Sequence, residues 1–215
     1  MTALVGSTHT ASLRSPRALG AILTATIATW SVVLGGGTYA IWRYKQTPAA
    51  RVGAPASWPA GSALTRDPTR WTLLLFAHPE CPCTRASLTE LGRILSTLGD
   101  KVSPTIVVLS PPDEPGWRQS AIWRRATEIV PHVHPDTDGN ETILFGAVAS
   151  GHTLLYDRGG TLRFAGGITG ARGHEGDNAG EARLVALVEG RLDLLQESPT
   201  FGCALGTAET PGDRR

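Results

Sequence analysis

The chain has 215 residues and a formal net charge of +1, a length that allows one domain of ordinary size together with additional segments. The nearly balanced charge gives no electrostatic case for nucleic-acid binding, which would call for a concentrated basic face, so we expect no nucleic-acid partner. The three cysteines are too few for a scaffold held together by disulfides, and their odd number leaves at least one thiol free or paired elsewhere.

A polar stretch, residues 1–17, precedes an apolar run over residues 18–42 that contains no Asp, Glu, Lys or Arg. About 20 apolar residues suffice to cross the hydrocarbon core of a bilayer. Trp30 and Trp42 are of the type that anchors such a helix at the membrane interfaces. We therefore predict one transmembrane helix, a signal anchor. A cleaved signal peptide is the alternative, because residues 38–40 (Thr-Tyr-Ala) loosely resemble a cleavage site.

Basic residues flank the predicted helix on both sides, so the positive-inside rule does not choose its orientation. Arg14 and Arg17 precede the helix, whereas Arg43, Lys45 and Arg51 follow it. We expect a single-pass membrane protein whose soluble domain lies on the extracytoplasmic (periplasmic) side. This preference depends on the cysteine chemistry described below.

The rest of the chain divides into three segments. Residues 43–70 are rich in Pro, Ala, Gly and Ser and lack apolar periodicity, which predicts a tether between membrane and domain. The soluble domain is predicted over residues 71–198. A C-terminal tail that contains Cys203 is predicted over residues 199–215.

The predicted domain alternates strands with helices, and its first two strands are continuous apolar runs typical of burial on both faces. In chain order we predict a strand at 72–76, a helix ending near Gly99, a strand at 105–109, a helix at 116–130, a short strand at 131–135, a short helix at 138–148, two strands at 152–156 and 161–168, and a last helix.

The last helix is expected to begin near Asn178, with Glu181 at capping-box spacing, and to carry an apolar stripe as far as Leu195. Residues 157–160 (Asp-Arg-Gly-Gly) form a hairpin signal between the last two strands. The order βαβαβαββα predicts parallel crossovers followed by a hairpin and a closing helix.

Cys81 lies between the first strand and its helix. Pro82 favours an extended conformation for Cys81 and suits the first helical position, so Cys81 is expected to be the N-cap residue. Helix N-terminal amides and the helix dipole stabilise a thiolate, which is the nucleophile in disulfide exchange. A protonated His78 would assist, whereas Glu80 would oppose ionisation by its like charge. We therefore predict that Cys81 is the nucleophile.

Cys83 and Cys203 are the candidates for the second catalytic thiol. Residues two apart on a helix point to nearly opposite sides, so a bridge between Cys81 and Cys83 needs Cys81 outside the helix and would be strained. Cys203 lies in the tail, where Phe201 and Leu205 indicate docking on the domain. Either thiol would resolve a bond made by Cys81. Buried or idle thiols are the alternative.

The strand, cysteine and helix together resemble the thioredoxin superfamily over roughly residues 71–195. Residues 76–81 (Phe-Ala-His-Pro-Glu-Cys) match the family's spacing from an aromatic strand end to its first active-site cysteine. Residues 145–148 and 153–157 resemble the segment that carries the family's cis-proline and the next strand. The CPC centre and the segments SGHTLLYD and GGITGARGHEGDN look closest to membrane-anchored RedB-type proteins.

The resemblance implies an α/β fold, a three-layer thioredoxin-like arrangement of a central mixed sheet flanked by helices, preceded here by the transmembrane helix. It also implies thiol–disulfide exchange with a protein partner that carries a thiol or a disulfide. Thr84 replaces the family's resolving cysteine, and Gly151 falls at the cis-proline position. Because that loop faces the active cysteine in thioredoxin folds, Gly151 and His152 are predicted to line the substrate groove.

Metal binding is the competing hypothesis. His78, Cys81 and Cys83 supply soft ligands that suit Cu(I) or zinc. Copper-delivery proteins with the same fold are similarly tethered and carry paired cysteines. Thiol–disulfide exchange would need no cofactor, whereas this alternative would need copper or zinc. A domain that only binds partners, without redox activity, is the third possibility.

Overall fold

The computed structural model describes residues 16–50, 53–110 and 116–206. The chain separates into two compact units, one ending at Arg43 and the other beginning at Tyr44. The first contains most of helix α1 (Pro16–Gln46), which includes the predicted span 18–42. By length and composition, α1 is a candidate single membrane span or signal anchor near the N-terminus.

The second unit is built on a mixed sheet with the strand order β3-β2-β1-β4-β5-β6. Strands β1, β2 and β3 are parallel to one another, whereas β4 is antiparallel to both β1 and β5. Helices flank this sheet, and the fold is thioredoxin-like, as predicted. The elements are β1 (Trp71–Ala77), α2 (Pro82–Leu98), β2 (Val102–Ser110), α3 (Ala121–Ile129), β3 (Val133–Thr137), α4 (Asn140–Leu144), β4 (His152–Tyr156), β5 (Leu162–Gly167), α5 (Ala179–Val188) and β6 (Gln196–Glu197).

The side chains of β1 enter two separate cores, because successive side chains of a strand point to opposite faces. Leu73 and Leu75 pack with residues of α2, α3 and α5 on one face of the sheet. Leu74 and Phe76 pack on the other face with Phe145, which follows α4. Each of these five side chains is at most 1% exposed. The first strand is therefore buried on both faces, and its carboxyl end is held rigidly where it leads into α2.

Much of the stretch predicted as a tether packs against the sheet instead. The Trp58 ring meets the rings of Phe145 and Tyr156 edge-on, at centroid distances of 5.1 and 5.2 Å. The Tyr156 hydroxyl donates to the Pro55 carbonyl at 3.0 Å, and Leu64 is buried. Aromatic pairs of this geometry stabilise packing beyond the area that they bury. The segment has irregular backbone, so its apolar residues show no periodicity.

The end of the last helix also differs from the expectation. Helix α5 ends at Val188, and Gly190 has φ +74, a left-handed conformation that commonly ends helices. Leu192 and Leu195 therefore lie beyond the helix and are 37% and 49% exposed. The predicted start is confirmed, because the Asn178 side chain accepts a hydrogen bond from the backbone N–H three residues later.

Two glutamates meet where α5 packs against α2. The Glu90 side chain is fully buried, with Arg93 at 3.3 Å and an N–H from Gly176 at 2.7 Å. Burial raises the pKa of Glu181 to about 7, with further contributions from the charge of Glu90 and a hydrogen bond to it. Glu181 thus holds a proton in the folded state at pH values where an exposed glutamate has lost it.

This proton makes stability depend on pH in a defined direction. Between the ordinary pKa of 4.5 and about 7, the folded chain binds more protons than the unfolded chain, so the free energy of unfolding falls as pH rises. We predict that Glu181→Gln reduces this decline, as measured by urea denaturation of the full chain in detergent across that pH range. Glu128→Gln is the matched control, because Glu128 is exposed and pairs only with Arg125 at 3.1 Å among the described contacts. Equal pH dependence in the wild type and Glu181→Gln would contradict the prediction.

Candidate thiol site

Cys81 occupies the junction between β1 and α2, as predicted. It is the N-cap residue of α2, with φ −77 and ψ 114, and Pro82 begins the helix. The N–H of Thr84 donates to the Cys81 carbonyl at 3.1 Å and closes the first turn. The side chain of Cys81 faces the positive end of the helix dipole, which favours a thiolate. Cys81 is only 2% exposed, so another part of the chain covers it.

The C-terminal tail contributes to that cover and places a second thiol beside the first. The Sγ atoms of Cys81 and Cys203 are 2.9 Å apart, and both cysteines are unbridged. Cys203 is half-buried at this position. Cys83, the other candidate for the second thiol, also makes a side-chain hydrogen bond with Cys81, so the fold brings the tail cysteine into a group of three thiols.

The tail is held by backbone pairing with the loop that precedes β4. The N–H of Ser150 donates to the Cys203 carbonyl at 2.8 Å, and the N–H of Leu205 donates to the Val148 carbonyl at 3.1 Å. Between them, Ala149 and Ala204 form an antiparallel bridge. Residues 203–205 thus act as a short added strand, and strand pairing fixes the register that aims Cys203 at Cys81.

Side chains on both sides of Cys203 explain why the tail docks there. Phe201 is 7% exposed, and Leu205 is fully buried with Phe76 in the second core. At Gly202 a Cβ atom would lie 1.8 Å from the Ser150 carbonyl oxygen, so a glycine is needed for this close approach. The apolar residues seen in the sequence do indicate docking, but residues 148–150, with which the tail pairs, lie more than 50 positions away along the chain.

The pKa values of the Cys81 and Cys203 thiols are shifted in opposite directions. Burial by itself would raise the pKa of the Cys81 thiol, but hydrogen bonds from Cys203 and Thr84 lower it below its ordinary value. For Cys203, burial, the hydrogen bond to Cys81 and the charge of Cys81 raise the pKa to about 12. Cys81 is therefore the more acidic thiol of the pair, and Cys203 is the thiol that donates to it.

A relay of hydroxyl groups supports the Cys81 thiolate from the buried side. Thr84, at the position of the family's resolving cysteine, is buried, and its Oγ1 lies 2.5 Å from the Ser150 Oγ. Ser150 Oγ also accepts a hydrogen bond from the N–H of His78 at 2.9 Å. Because the Thr84 hydroxyl proton is directed to Cys81, the Ser150 hydroxyl donates to Thr84. Thr84 thus supplies a buried hydrogen-bond donor at the position where thioredoxin-like proteins have their second thiol.

Cys83 and Arg172 complete the charged surroundings. Burial and the negative charge of Cys81 raise the pKa of Cys83, whereas the positive charge of Arg172 opposes this rise. Arg172 donates from Nη1 to the Gly202 carbonyl of the tail and lies over the Tyr44 ring, 4.8 Å from its centroid. Sequence reasoning did not assign Arg172 to the site, because its glycine-rich stretch matches no functional spacing.

Gly151 and His152, which were predicted to line the substrate groove, are both buried. The N–H of Gly151 donates to the Phe76 carbonyl at 2.7 Å, and a Cβ at this residue would lie 2.6 Å from the Ser87 hydroxyl oxygen. His152 is 7% exposed, with Nδ1 3.2 Å from Thr200 Oγ1. Burial lowers the pKa of His152 to about 4, so the ring is neutral at neutral pH. These residues support the loop and the tail from beneath.

The ligands of the alternative metal site are not brought together. Among residues 16–50, 53–110 and 116–206, no group of three or more His, Cys, Asp or Glu side chains is arranged to hold a metal ion. His78 Nδ1 accepts a hydrogen bond from the Glu80 N–H at 3.2 Å. The hypothesis of copper or zinc bound by His78, Cys81 and Cys83 therefore gains no support from the geometry.

No family model matches the sequence, and no curated protein matches it. An uncharacterized conserved protein of Geobacillus kaustophilus is similar in structure, with TM-score 0.53, 17% identity, and coverage of 74% of this chain and 92% of that one. A hypothetical protein of Sinorhizobium meliloti has TM-score 0.52 and 17% identity, over 76% of this chain and 99% of that one. A secreted disulfide oxidoreductase of Mycobacterium tuberculosis has TM-score 0.41 and 15% identity, over 57% of this chain and 82% of that one. At such identities the likeness extends to the fold alone.

The hydroxyl relay predicts a measurable change in thiol acidity. Thr84→Val keeps the buried shape but removes the donor, so the pKa of Cys81 should rise by about one unit. The ultraviolet absorbance of the thiolate, followed against pH in a Cys83→Ser background, measures this shift, because Cys203 titrates separately at about 12. Thr97→Val is the control, since Thr97 lies on the exposed side of the same helix and donates to the Arg93 carbonyl. If the titrations of Thr84→Val and the control coincide, the relay does not set the acidity of Cys81.

Proposed function

We propose that this protein is a thiol–disulfide oxidoreductase in which Cys81 and Cys203 form the redox-active pair. The observation that carries the proposal is the contact between their Sγ atoms at 2.9 Å, with Cys81 the more acidic thiol. A contact this short needs only small side-chain movements to become a disulfide. Lowered pKa at a helix N-terminus is the property that makes a cysteine reactive in exchange.

In the reducing direction, the Cys81 thiolate attacks one sulfur of a disulfide in the partner protein. The partner's S–S bond breaks, its other sulfur leaves as a thiolate that takes up a proton from water, and a mixed disulfide forms with Cys81. Cys203 then attacks the sulfur of Cys81 and releases the partner's second sulfur, which takes the proton that Cys203 gives up. Two electrons pass to the partner, and the reverse sequence oxidises a dithiol with the same groups.

The surroundings of Cys203 favour this order of events. Its raised pKa depends in part on the negative charge of Cys81, and that charge disappears once Cys81 enters a mixed disulfide. The positive charge of Arg172 acts in the opposite direction and lowers the pKa of Cys203. Cys203 therefore stays protonated before Cys81 has reacted with a partner. The pKa of Cys203 falls once the mixed disulfide has formed, which is when Cys203 has to attack.

Cys83 is the less suitable resolving thiol. It lies within α2, only two residues from Cys81, where a bridge between the two would be strained, and burial together with the charge of Cys81 and a hydrogen bond to it raises its pKa. We assign to Cys83 the role of a third thiol that exchanges with the pair but does not complete the reaction. Within this proposal Cys203, rather than Cys83, is the resolving thiol.

We further infer that α1 anchors the protein as a single-pass membrane protein with the thiol site on the extracytoplasmic side. The length and apolar composition of α1 support the anchor. Disulfides form and persist in oxidising compartments, which supports the orientation. The CPC centre and the segment SGHTLLYD support assignment to the RedB-type branch. The partner is a protein that presents a thiol or a disulfide.

The test is the reduction of a dansylated peptide that contains one disulfide, with the full chain in detergent. Cys81→Ser should lose activity by about 100-fold or more, because the nucleophile is gone. Cys203→Ser should stop at a mixed disulfide between Cys81 and the peptide, visible as a mass increase. Cys83→Ser is the matched control and should still release reduced peptide. Activity of Cys81→Ser equal to that of the wild type would overturn the proposed function.

A further inference from the structure

The docked tail hides the nucleophile that the proposed function requires. Cys81 is 2% exposed while Cys203 lies against it. A disulfide in a folded or extended partner protein is far larger than a water molecule and cannot reach a sulfur covered in this way. Attack by Cys81 on a partner therefore requires residues 199–205, hereafter the tail strand, to leave their position first.

The tail strand can leave without disrupting the sheet. It begins after β6 (Gln196–Glu197), and none of its residues belongs to the six strands of the sheet. Its backbone attachments are the pairing with residues 148–150, a hydrogen bond from the Ala49 N–H to the Thr200 carbonyl at 2.8 Å, and the donation from Arg172 to the Gly202 carbonyl. Its side-chain attachments are the burial of Phe201 and Leu205 and the contact of Thr200 Oγ1 with His152 Nδ1 at 3.2 Å. None of the backbone hydrogen bonds belongs to the ladders of the six strands, so release would expose Phe201 and Leu205 but leave the sheet paired.

Departure of the tail strand leaves an unpaired edge beside Cys81. The N–H of Ser150 and the carbonyl of Val148, now paired with the tail, would then point to an empty position. Unpaired backbone groups at such an edge recruit an extended peptide through strand addition, in which main-chain hydrogen bonds give affinity and side-chain pockets give specificity. The same pairing that aims Cys203 at Cys81 would aim the cysteine of an incoming segment.

We propose that the tail strand is a built-in occupant of the partner-binding edge, and that this edge selects a partner segment with glycine immediately before the reacting cysteine. This inference rests on the proposed function. A Cβ atom at the Gly202 position would clash with the Ser150 carbonyl oxygen, and this backbone atom cannot move out of the way. Any other residue before the cysteine is therefore excluded from the same register.

The remaining positions of the tail strand define the rest of the preferred segment. Phe201 and Leu205 are buried, so an aromatic residue two before the cysteine and an apolar residue two after it fit the same pockets. Ala204 is exposed, so the position directly after the cysteine is unrestricted. The partner class is an extended protein segment of the pattern aromatic-Gly-Cys-any-apolar. Return of the tail strand then delivers Cys203 to the mixed disulfide and expels that segment in one movement.

A peptide with the sequence Phe-Gly-Cys-Ala-Leu, its cysteine joined in a mixed disulfide to a chromogenic aromatic thiol, tests this inference. The Cys81 thiolate attacks the peptide sulfur, the bond to the aromatic thiol breaks, and the aromatic thiolate that leaves gives the signal. With the full chain in detergent, Gly202→Val should react about tenfold faster than the wild type, because a site that is closed most of the time gains in rate when it is opened. Leu205→Ser, which removes the buried leucine side chain that holds the tail strand, should accelerate the reaction similarly. This second variant keeps the inference testable if Gly202→Val does not fold. Ala204→Ser should match the wild type.

Specificity is tested by replacing the glycine of the peptide with valine. The glycine peptide should react about tenfold faster than the valine peptide with Gly202→Val, because only the former fits the edge. Equal rates for the two peptides would overturn the selectivity, and rates unchanged by both tail variants would overturn the occlusion. Failure of the proposed function is recognised separately, because adding Cys81→Ser to either tail variant would then leave the release of aromatic thiol intact.

Discussion

The antiparallel pairing between residues 148–150 and 203–205 is the interaction on which the site depends. It carries a cysteine from the end of the chain to the start of α2 and sets the two Sγ atoms 2.9 Å apart. Without it, Cys81 would be an N-cap cysteine with a threonine where thioredoxin-like proteins place the resolving thiol. The close approach that permits the pairing rests on the absence of a side chain at Gly202.

The same contact that prepares Cys81 also limits its access. The hydrogen bond from Cys203 helps to lower the pKa of the Cys81 thiol, and the tail that provides it leaves Cys81 only 2% exposed. Reactivity and accessibility are thus opposed in the docked state, which is a physical reason for a tail that moves during exchange. Thr84 differs in this respect, because its buried hydroxyl belongs to α2 rather than to the tail and also lowers the pKa of the Cys81 thiol.

Local features of the fold could be predicted from the sequence, whereas long-range contacts could not. The buried β1, the N-cap position of Cys81 and the start of α5 at Asn178 depend on neighbouring residues, and the structure confirms them. Trp58 lies in a segment of irregular backbone and packs against residues that are far away in the sequence. The periodicity of apolar residues therefore could not predict this contact. The support of the tail by Arg172 and the burial of His152 beneath it likewise follow from tertiary structure alone. Phe201 and Leu205 indicated that the tail docks but not where.

The central claim is that Cys203, rather than Cys83, is the disulfide partner of Cys81. Linkage mapping tests it most directly: the full chain in detergent is mildly oxidised, its remaining thiols are alkylated, and the proteolytic fragments are identified by mass spectrometry. The structure predicts a fragment pair that joins Cys81 to Cys203, with the alkyl label on Cys83. A bridge between Cys81 and Cys83, with the label on Cys203, would contradict it.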